Sequence, residues 1–385
     1  MKFQFDGPDP AIAALCAGLQ PVDPTPLALR DSIGRVLAQP VVLDRDSPAC
    51  DVSAMDGFAL NQADLGAGPI PVCGTVAAGM PPIDCLPGHA VRIFTGAPLP
   101  ASCDCVIRRE DILSNPETSD ASVAGTQPQQ NQSTIQINDA AQQSPLLANI
   151  RRKGENAVAG KTIVDVGQIM GAAQIAASAT CGVATPNVAR RVRVSVLTTG
   201  DEVCEVSDSP QPWQVRDSNA ATLTSLFSGK PWIDLNHVGH ANDDPQRLEV
   251  AMRDAAGKSD VVVLTGGVSV GDHDYVPRVL GRCGGETVFH KLPIRPGKPV
   301  LGGILQGKAV FGLPGNPVSV MFTALRMVMP VLRYLSGQNE SQPVPLATIE
   351  NADARTLPLH WGRLVRMKSR GGTQSCVYVA SRGSG

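Results

Sequence analysis

The feature that most constrains this chain is a repeated unit of apolar strand, glycine-containing loop and helix after residue 191. The loops are "TTGDEV" at 198–203, "TGGVSVGDHD" at 265–274 and "GLPGNPVS" at 312–319, and apolar runs such as "VRVSVL" and "VVVL" precede them. Apolar strands that alternate with helices are typical of a parallel sheet covered on both faces. In such a sheet, ligands bind beyond the carboxyl ends of the strands. The sequence therefore predicts one site assembled from several loops.

The boundaries of one helix in this region are predicted by its flanking residues. In "DSNAATLTSLFSG", Leu223 and Phe227 fall on one face at helical spacing. Asp217 or Ser218 can cap the amino end, because both side chains offer an oxygen to free backbone amides. Gly229 can end the helix. We therefore expect a short helix between these limits.

Length, charge and cysteine usage limit the class of protein. The 385 residues exceed what one hydrophobic core organises, so we expect two to four domains. A net charge of −2 at pH 7 argues against a general nucleic-acid binder. The ten cysteines form no C-x-x-C pair, the N-terminus has no apolar leader, and no stretch has membrane-spanning length. We expect a cytoplasmic protein with reduced thiols and no membrane contact.

Basic residues nevertheless occur in clusters. Each cluster could bind a small anion, although a solvated surface is the simpler interpretation of any one of them unless a loop of defined shape holds it. The clusters are Arg108-Arg109, Arg151-Arg152-Lys153, Arg190-Arg191-Arg193 and the Arg295/Lys298 pair.

The order of helical and β-like patterns along the sequence predicts a multidomain α/β chain. Helical patterns near the N-terminus and in "GQIMGAAQIAASATCG" predict one discontinuous domain, which the family resemblance described below implies to be elongated. Short β-like runs broken by Gly and Pro predict an inserted β domain, in which the Gln- and Ser-rich residues 114–145 form a mobile loop or a hairpin excursion. A doubly wound α/β domain and a C-terminal β-barrel-like domain follow. The predicted domains are 1–47 plus 148–187, 48–147, 188–337 and 338–385.

The loop at 265–274 combines a glycine pair with two acids. Gly266 and Gly267 lack a Cβ, which lets backbone amides approach a phosphate closely. Asp272 and Asp274 offer the hard oxygen ligands that Mg²⁺ prefers. Helix N-capping explains the two aspartates equally well.

Two further loops carry groups that suit anions. In "IRPGKPV", Arg295 and Lys298 flank a Pro-Gly turn, and together they suit a tetrahedral oxyanion or phosphate, although an exposed turn is the simpler interpretation. In "GLPGNPVS", Asn316 can cap a helix with Pro317 in its first turn. The Ser319 hydroxyl is then expected to point outward.

The N-terminal half contributes three isolated polar groups. Asp56 lies in "SAMDGFAL", Thr95 in "TGAPLP" and Glu155 in "KGEN". Each motif is short and turn-like, so by physical argument alone each group is more simply a turn stabiliser than a catalytic element.

Taken in order, these segments resemble the molybdopterin molybdenumtransferase family, which includes the bacterial MoeA proteins and the E domain of gephyrin. The matching stretches are "SAMDGFAL", "TGAPLP", "RRKGENAVAG", "TTGDEV", "RDSNAATL", "TGGVSVGDHDYV", "IRPGKPV" and "GLPGNPVS". The resemblance implies an elongated homodimer whose third domain binds molybdopterin. It implies that adenylylated molybdopterin and molybdate are the substrates, that Mg²⁺ assists, and that AMP is released as the molybdenum cofactor forms.

The resemblance also implies roles for individual residues. Asp243, Asp272 and Asp274 match the family positions near the metal and the phosphates. Asp244 is a weaker candidate for the same role. The catalytic set is Asp56, Thr95, Glu155, Asp201, Asp217, Asp274 and Lys298. The set that binds the pterin phosphate and molybdate is Gly266, Gly267, Ser269, Arg295, Lys298, Pro314, Gly315, Ser319, Arg363 and Ser384. By analogy, the "SAMDG" and "TGAP" loops face the third domain of the partner subunit.

Three departures from the family pattern leave alternatives open. Asn156 stands where the family has an acid, the Arg-rich segment of the last domain is reduced to "LPLHWGRLVR", and the chain stops at "SRGSG" where family members continue. We therefore expect a shortened last domain, with Ser384 as a remnant of a molybdate loop. A scaffold that keeps the fold without turnover is one alternative, and a molybdopterin adenylyltransferase is another. That adenylyltransferase and apo-molybdoenzymes are the implied protein partners.

Overall fold

The computed structural model describes residues 3–114, 133–268, 275–339, 347–351 and 357–379. The chain divides into two compact units, which we call the β unit and the α/β unit. The β unit comprises Val42–Ile163 and Thr180–Gly182, and the α/β unit comprises Met1–Val41, Val164–Ala179 and Val183–Gly385. The division into four domains stays a prediction.

The β unit contains a six-stranded sheet. Its strands are β1 (Gly57–Leu60), β2 (Ile70–Val76), β3 (Ala90–Ile93), β4 (Cys105–Arg108), β5 (Ile112–Ser114) and β6 (Thr134–Ile137). The spatial order is β4-β1-β3-β2-β6-β5, and only the pair β2 and β3 is parallel. β5 and β6 pair antiparallel, so the predicted polar excursion has a hairpin at its base; residues 115–132 lie outside the described residues.

Both sides of β1 are buried, in keeping with the apolar character of this strand. Phe58 and Leu60 enter one hydrophobic cluster, whereas Ala59 between them enters another. Gly57 begins the strand because a Cβ at this position would lie 1.9 Å from the carbonyl oxygen of Ile107 in β4. The glycine in "MDGF" is therefore a packing requirement of the sheet.

The α/β unit contains the predicted parallel sheet with one reversed strand. The strands are β7 (Val192–Thr199), β8 (Ile233–Ala241), β9 (Val261–Thr265), β10 (Glu286–His290), β11 (Leu301–Leu305) and β12 (Lys308–Leu313). The spatial order is β8-β7-β9-β12-β11-β10. β8, β7, β9 and β12 pair in parallel, and β11 runs antiparallel to both of its neighbours. β10 therefore runs in the same direction as the four parallel strands.

Helices cover both faces of this sheet. The α-helices are α1 (Pro8–Cys16), α2 (Ala172–Thr180), α3 (Ser218–Ser228), α4 (Pro245–Lys258), α5 (Val276–Arg282), α6 (Pro317–Thr323) and α7 (Met329–Leu335). Among the described residues, α1 and α3 to α7 contribute side chains to the two cores of the sheet, and α2 contributes none. A π-helical turn at Ala324–Val328 joins α6 to α7, so one helical run extends from Pro317 to Leu335. Val261 and Val263 of β9 enter the cluster shared with α1, α3, α6 and α7, whereas Val262 and Leu264 enter the cluster shared with α4 and α5. Alternate side chains of an apolar strand thus serve two cores.

The remaining elements are short. The short strands are Pro24–Pro26, Val41–Val42, Val52–Ser53, Ile150–Arg151, Thr162–Val164, Asn187–Ala189, Val203–Cys204, Val215–Arg216, Ile294–Arg295, Thr348–Ile349 and His360–Trp361. The 3₁₀ helices are Leu29–Ser32, Gln62–Asp64, Arg109–Asp111 and Ala141–Gln143. Near the C-terminus, β13 (Val365–Arg370) and β14 (Thr373–Tyr378) pair antiparallel, and β14 also pairs in parallel with the strand at 348–349.

The expectation that no stretch has membrane-spanning length is wrong, because one helical run of the described chain meets the length and composition criteria for a membrane span. It is Pro317–Leu335, with 19 residues and a mean hydropathy of 1.4. Of the most apolar 18-residue stretch in this run, 56% is buried, and Val320 and Leu332 belong to the main core cluster. These are the properties of a helix that packs inside a folded core.

Candidate active site

The sheet topology brings five loops of the α/β unit to one edge. The loops after β7, β8, β9 and β12 leave the carboxyl ends of parallel strands. β10 runs in the same direction, so the loop at 291–300 that joins it to β11 lies at this edge as well. We call this edge the carboxyl edge. All five loops lie where ligands of open α/β sheets bind.

The glycine turn after β9 contacts the loops on both sides of it. Gly266 has a φ of 91°, and its amide donates a hydrogen bond to the carbonyl oxygen of Leu313 at 2.9 Å. A Cβ on this residue would lie 2.7 Å from Oγ1 of Thr199, and that hydroxyl donates to the carbonyl oxygen of Thr265 at 3.1 Å. The ideal Cβ of Gly315 lies 3.8 Å from Cα of Gly266. The turns at 199, 266 and 315 therefore form one packed group.

Asp217 occupies the helix-capping position that the sequence predicted. It also contacts a side chain that the sequence did not indicate. Its Oδ1 accepts from the amide of Ala220 at 2.8 Å, so Asp217, and not Ser218, is the N-cap of α3. Its Oδ2 accepts from Oγ1 of Thr198 at 2.6 Å, and Nδ1 of His240 lies 3.2 Å from the same hydroxyl. Because the single hydroxyl proton is directed at Asp217, the His240 ring donates from Nδ1.

The loop after β12 lies against the amino end of α3. The side-chain amide of Asn219 donates to the carbonyl oxygen of Gly315 at 2.9 Å. Pro314 and Gly315 thus lie at the carboxyl edge as expected. The sequence analysis assigned no role to Thr198, His240 or Asn219. Thr198 and Asn219 lie in the quoted stretches "TTGDEV" and "RDSNAATL", but the sequence does not show which residues their side chains contact.

Two acids meet between the loops after β7 and β8. Oδ1 of Asp201 accepts from the amide of Asp243 at 3.3 Å and from Nδ2 of Asn242 at 3.1 Å. Asp244, the weaker metal candidate, is the N-cap of α4, since its Oδ1 accepts from the amides of Gln246 and Arg247 at 2.9 and 2.8 Å. Within the described residues, no group of three His, Cys, Asp or Glu side chains has metal-binding geometry.

Four of the predicted site residues cannot be placed. Ser269, Asp272 and Asp274 fall in the loop after β9, and Ser384 falls near the C-terminus; all four lie outside the described residues.

The basic side of the carboxyl edge is organised around a tryptophan. Ile294–Arg295 pairs in parallel with His360–Trp361, and the amide of Gly362 donates to the carbonyl oxygen of Arg295 at 2.7 Å. The guanidinium carbon of Arg295 lies 5.5 Å from the centroid of the Trp361 ring, and that of Arg363 lies 4.5 Å from the same centroid. Arg363 also lies 3.6 Å from the Tyr378 ring centroid. Cation–π contacts thus bring two guanidiniums to one ring.

Lys298 and Ser319 occupy the same region with different exposure. Lys298 is exposed, and its Nζ lies 5.6 Å from the ring centroid of Phe3. Asn316 caps α6 as predicted, accepting from the amides of Val318 and Ser319 at 3.1 and 3.2 Å. The prediction that the Ser319 hydroxyl points outward is wrong. The residue is 5% exposed, and its Oγ lies 3.5 Å from Oδ1 of Asn316, because the first turn of α6 is packed into the core.

In the β unit, Asp56 and Thr95 form a specific pair. Oδ1 of Asp56 accepts from the backbone amide of Thr95 at 2.8 Å and from its Oγ1 at 2.7 Å. These two hydrogen bonds, helped by the charges of Arg109 and Arg92, lower the pKa of the Asp56 carboxyl. Asp56, Arg92 and Arg109 also line one small pocket. Asp56 is therefore held as a carboxylate between two arginines.

Glu155 and the departure at position 156 are linked through one arginine. Oε2 of Glu155 accepts from the amide of Arg152 at 2.9 Å, and its Oε1 lies 3.4 Å from Nε of Arg151. Arg151 also donates to Oδ1 of Asn156, whose amide nitrogen donates to Oγ of Ser47 at 3.2 Å. The side-chain amide of Asn156 therefore replaces the expected carboxylate, and its oxygen still accepts a hydrogen bond from the Arg151 guanidinium.

Comparison with known proteins identifies the family. A model described as the MoeA N-terminal region, domains I and II, matches residues 8–182, and one described as a probable molybdopterin binding domain matches residues 195–334. The molybdopterin molybdenumtransferase of Haemophilus influenzae is 33% identical over 322 residues, which cover 83% of this chain and 74% of that protein. The chain belongs to the molybdopterin molybdenumtransferase family.

Further relatives and solved structures agree with this assignment. The molybdopterin molybdenumtransferase of a Nostoc species is 32% identical over 79% of this chain and 67% of that protein. A crystal structure of the molybdopterin biosynthesis MoeA protein from Pyrococcus horikoshii matches with a TM-score of 0.75 and 25% identity, over 97% of this chain and 90% of that one. The resemblance drawn from the motifs and the predicted multidomain α/β fold are confirmed.

Proposed function

We propose that this enzyme inserts molybdate into adenylylated molybdopterin, forming the molybdenum cofactor and releasing AMP. The observation that most supports the proposal is the meeting of acidic and basic loops at the carboxyl edge. Asp201 and Asp243 lie after β7 and β8, Arg295 and Lys298 lie after β10, and the glycine turn at Gly266 lies after the central strand β9. Family membership supplies the substrate class to which such an edge is suited.

The reaction requires two kinds of electrostatic help from the protein. Release of AMP breaks a phosphoric anhydride, so negative charge on the phosphates must be neutralised while an oxygen nucleophile attacks in line. Backbone amides at Gly266 and Gly267 can face a phosphate because no Cβ stands in the way. Thr198 and His240 fix the orientation of Asp217 at the start of α3. The orientation of the Asp217 side chain is thus fixed, and we propose that it lies beside the phosphate.

Magnesium is the proposed cofactor. Asp243 would contribute to its site together with Asp272 and Asp274 of the loop after β9. The donor chemistry fits, since carboxylate oxygens at a phosphate site are what Mg²⁺ prefers, and Asp201 already fixes the backbone of Asp243. When bound, Mg²⁺ supplies charge neutralisation on the phosphate oxygens.

Molybdate is a substrate and suits the basic side of the edge. It is a tetrahedral dianion, which a guanidinium fork and an ammonium can bind together. Trp361 holds Arg295 and Arg363 by ring contacts, so this residue would position two cations for the anion. This contact supports the proposed role of Arg363 in molybdate binding, although the Arg-rich segment that contains it is degenerate. Asp56, Thr95 and Glu155 stay proposed catalytic residues of the β unit, in a cytoplasmic homodimer.

The decisive experiment measures AMP. Purified protein is incubated with adenylylated molybdopterin, with and without molybdate and with and without MgCl₂. We expect AMP only when both are present. A non-catalytic scaffold, the alternative favoured by Asn156, predicts that the nucleotide binds but that no AMP appears under any condition. AMP release that ignores molybdate would contradict the insertion reaction.

Lys298→Ala is expected to raise the molybdate concentration for half-maximal AMP release by about tenfold or more, because one charge-assisted contact to the anion is lost. The matched control is Lys258→Ala, which removes an exposed lysine paired with Asp254 on α4 at 2.6 Å. It should leave the molybdate requirement unchanged. If Lys298→Ala instead weakens only nucleotide binding, the oxyanion has been placed on the wrong side of the edge.

A further inference from the structure

A second basic region lies at the opposite, amino edge of the same sheet. It is a cavity of about 430 Å³ lined by Arg35, Arg190, Arg191, Arg193 and Asp234. Arg190 and Arg191 directly precede β7, and Arg193 of β7 pairs in register with Asp234 of β8. We call it the arginine cavity. Because β7 and β8 are parallel, it lies at the end of the strands away from the candidate active site.

One arginine of this cavity is buried without full pairing. Arg35 is 8% exposed, and its Nη2 donates to the carbonyl oxygen of Ala189 at 2.8 Å. Its Nε is buried and has no hydrogen-bond partner among the described residues. Burial, followed by the charge of Arg191, lowers the pKa of the Arg35 guanidinium. A buried cation with an unpaired donor is costly unless something compensates it.

The protein's own carboxylates do not balance these cations. Asp260 is shared among Arg190 at 2.7 Å, Arg193 at 3.5 Å and Lys308 at 3.6 Å. Arg191 has no salt bridge within the described part of the chain.

The charge of the group can be counted from its named members. The cations are Arg35, Arg190, Arg191, Arg193 and Lys308, and the carboxylates are Asp260, Asp234 and Asp23, of which Asp23 acts on Arg190 through its charge. The lining itself holds four arginines and one aspartate, and when Lys308, Asp260 and Asp23 are counted with it, five positive charges stand against three negative ones, a surplus of two.

We propose that the arginine cavity is a binding site for a small organic anion carrying two or more phosphate groups. Guanidiniums bind phosphate oxygens in bidentate fashion, and several of them around one cavity favour a ligand with more than one phosphate. The volume lies within the range of small-molecule sites and exceeds the need of a single tetrahedral oxyanion. The lining contains no aromatic ring, so recognition would depend on the phosphates rather than on a base.

Calorimetric titration of the full chain with pyrophosphate and with ATP, in buffer without divalent cations, tests the proposal. We expect saturable binding. Arg191→Gln should weaken it by about tenfold, since an exposed guanidinium is lost without disturbing the core. Asp234→Asn should tighten it, because a carboxylate is removed from the lining. Arg30→Gln, which removes an exposed arginine paired with Asp31, is the matched control and should change nothing.

Three results would overturn the proposal. The first is an absence of saturable binding of either probe at millimolar concentration. The second is binding that is unaffected by Arg191→Gln and Asp234→Asn but lost in Arg295→Ala, because that pattern would assign the phosphates to the carboxyl edge. Arg35→Lys gives a second variant at the buried position, and binding equal to that of the unmodified protein would also count against the site.

Discussion

Gly266→Ala is expected to lower molybdate-dependent AMP release by about 100-fold or more while the protein stays folded. Its φ of 91° is a left-handed conformation, and the new Cβ would meet Oγ1 of Thr199 at 2.7 Å and its carbonyl oxygen at 3.1 Å. Thr199 cannot move away easily, since it belongs to β7 and its hydroxyl is bonded to Thr265. The turn itself must shift, and a displacement of about 1 Å at a reacting centre can cost about 100-fold in rate.

The matched control for this variant is Gly284→Ala. Gly284 also has a left-handed φ, 83°, but no heavy atom lies within 4 Å of its ideal Cβ. Both variants should lose about 1–2 kcal/mol of stability from backbone strain. Only Gly266→Ala should lose activity, measured as AMP release per folded protein. Equal losses of activity in the two variants would show that general destabilisation, and not the shape of the turn, is responsible.

Asp260→Asn is expected to lower the free energy of unfolding of the α/β unit by about 3 kcal/mol at pH 7. Asp260 is 4% exposed, and its Oδ2 accepts from the amide of Arg193 at 2.9 Å and from Arg190 at 2.7 Å. Burial raises the pKa of this carboxyl, but hydrogen bonds and charges of Arg190 and Arg193 outweigh it and lower the pKa to about 2. Removing the charge leaves cations around a neutral amide.

The pH dependence of this effect follows from the direction of the pKa shift. The folded pKa of Asp260 lies below its unfolded value of about 3.9, so its stabilisation is complete above about pH 4. It is lost as the pH falls through about 2. Urea unfolding of the native protein and Asp260→Asn, followed by tryptophan fluorescence, should therefore give a difference that is constant from pH 7 to 5 and shrinks below pH 4.

Asp254→Asn is the control for this prediction. Asp254 forms an i,i+4 ion pair with Lys258 at 2.6 Å, and both side chains are about half exposed. Exposed pairs of this kind contribute about 0.3–0.5 kcal/mol. If the two asparagine variants were equally stable, the ion-pair network at the amino edge would have no special role.

Several features of this protein were determined by local sequence alone. Asp217 and Asn316 cap α3 and α6, and Gly229 ends α3, because capping depends on residues within one turn of a helix terminus. The strands β7, β9 and β12 follow from apolar runs that stop at glycine-containing turns. The gathering of loops at the carboxyl edge then follows from parallel pairing, since equivalent ends of parallel strands meet.

Other features depended on tertiary structure because the groups involved are far apart in the chain. Trp361 contacts both Arg295 and Arg363 only because a C-terminal strand pairs with the loop after β10. Ser319 turned inward because its helix packs into the core, which capping signals do not report. The sequence likewise predicted a purely parallel sheet. The sheet is mixed, because β11 runs antiparallel to both of its neighbours.

The arginine cavity shows the same division most clearly. The cluster at 190–193 is visible in the sequence, but nothing there distinguishes it from a solvated surface. Burial of Arg35, 155 positions before Arg190, joins it to the cluster only in the folded chain. Short-range hydrogen bonds and the alternation of apolar residues set the elements of this protein. Register and packing across the sheet decided which charges meet, since a charge acts over a few ångströms whatever the separation along the chain.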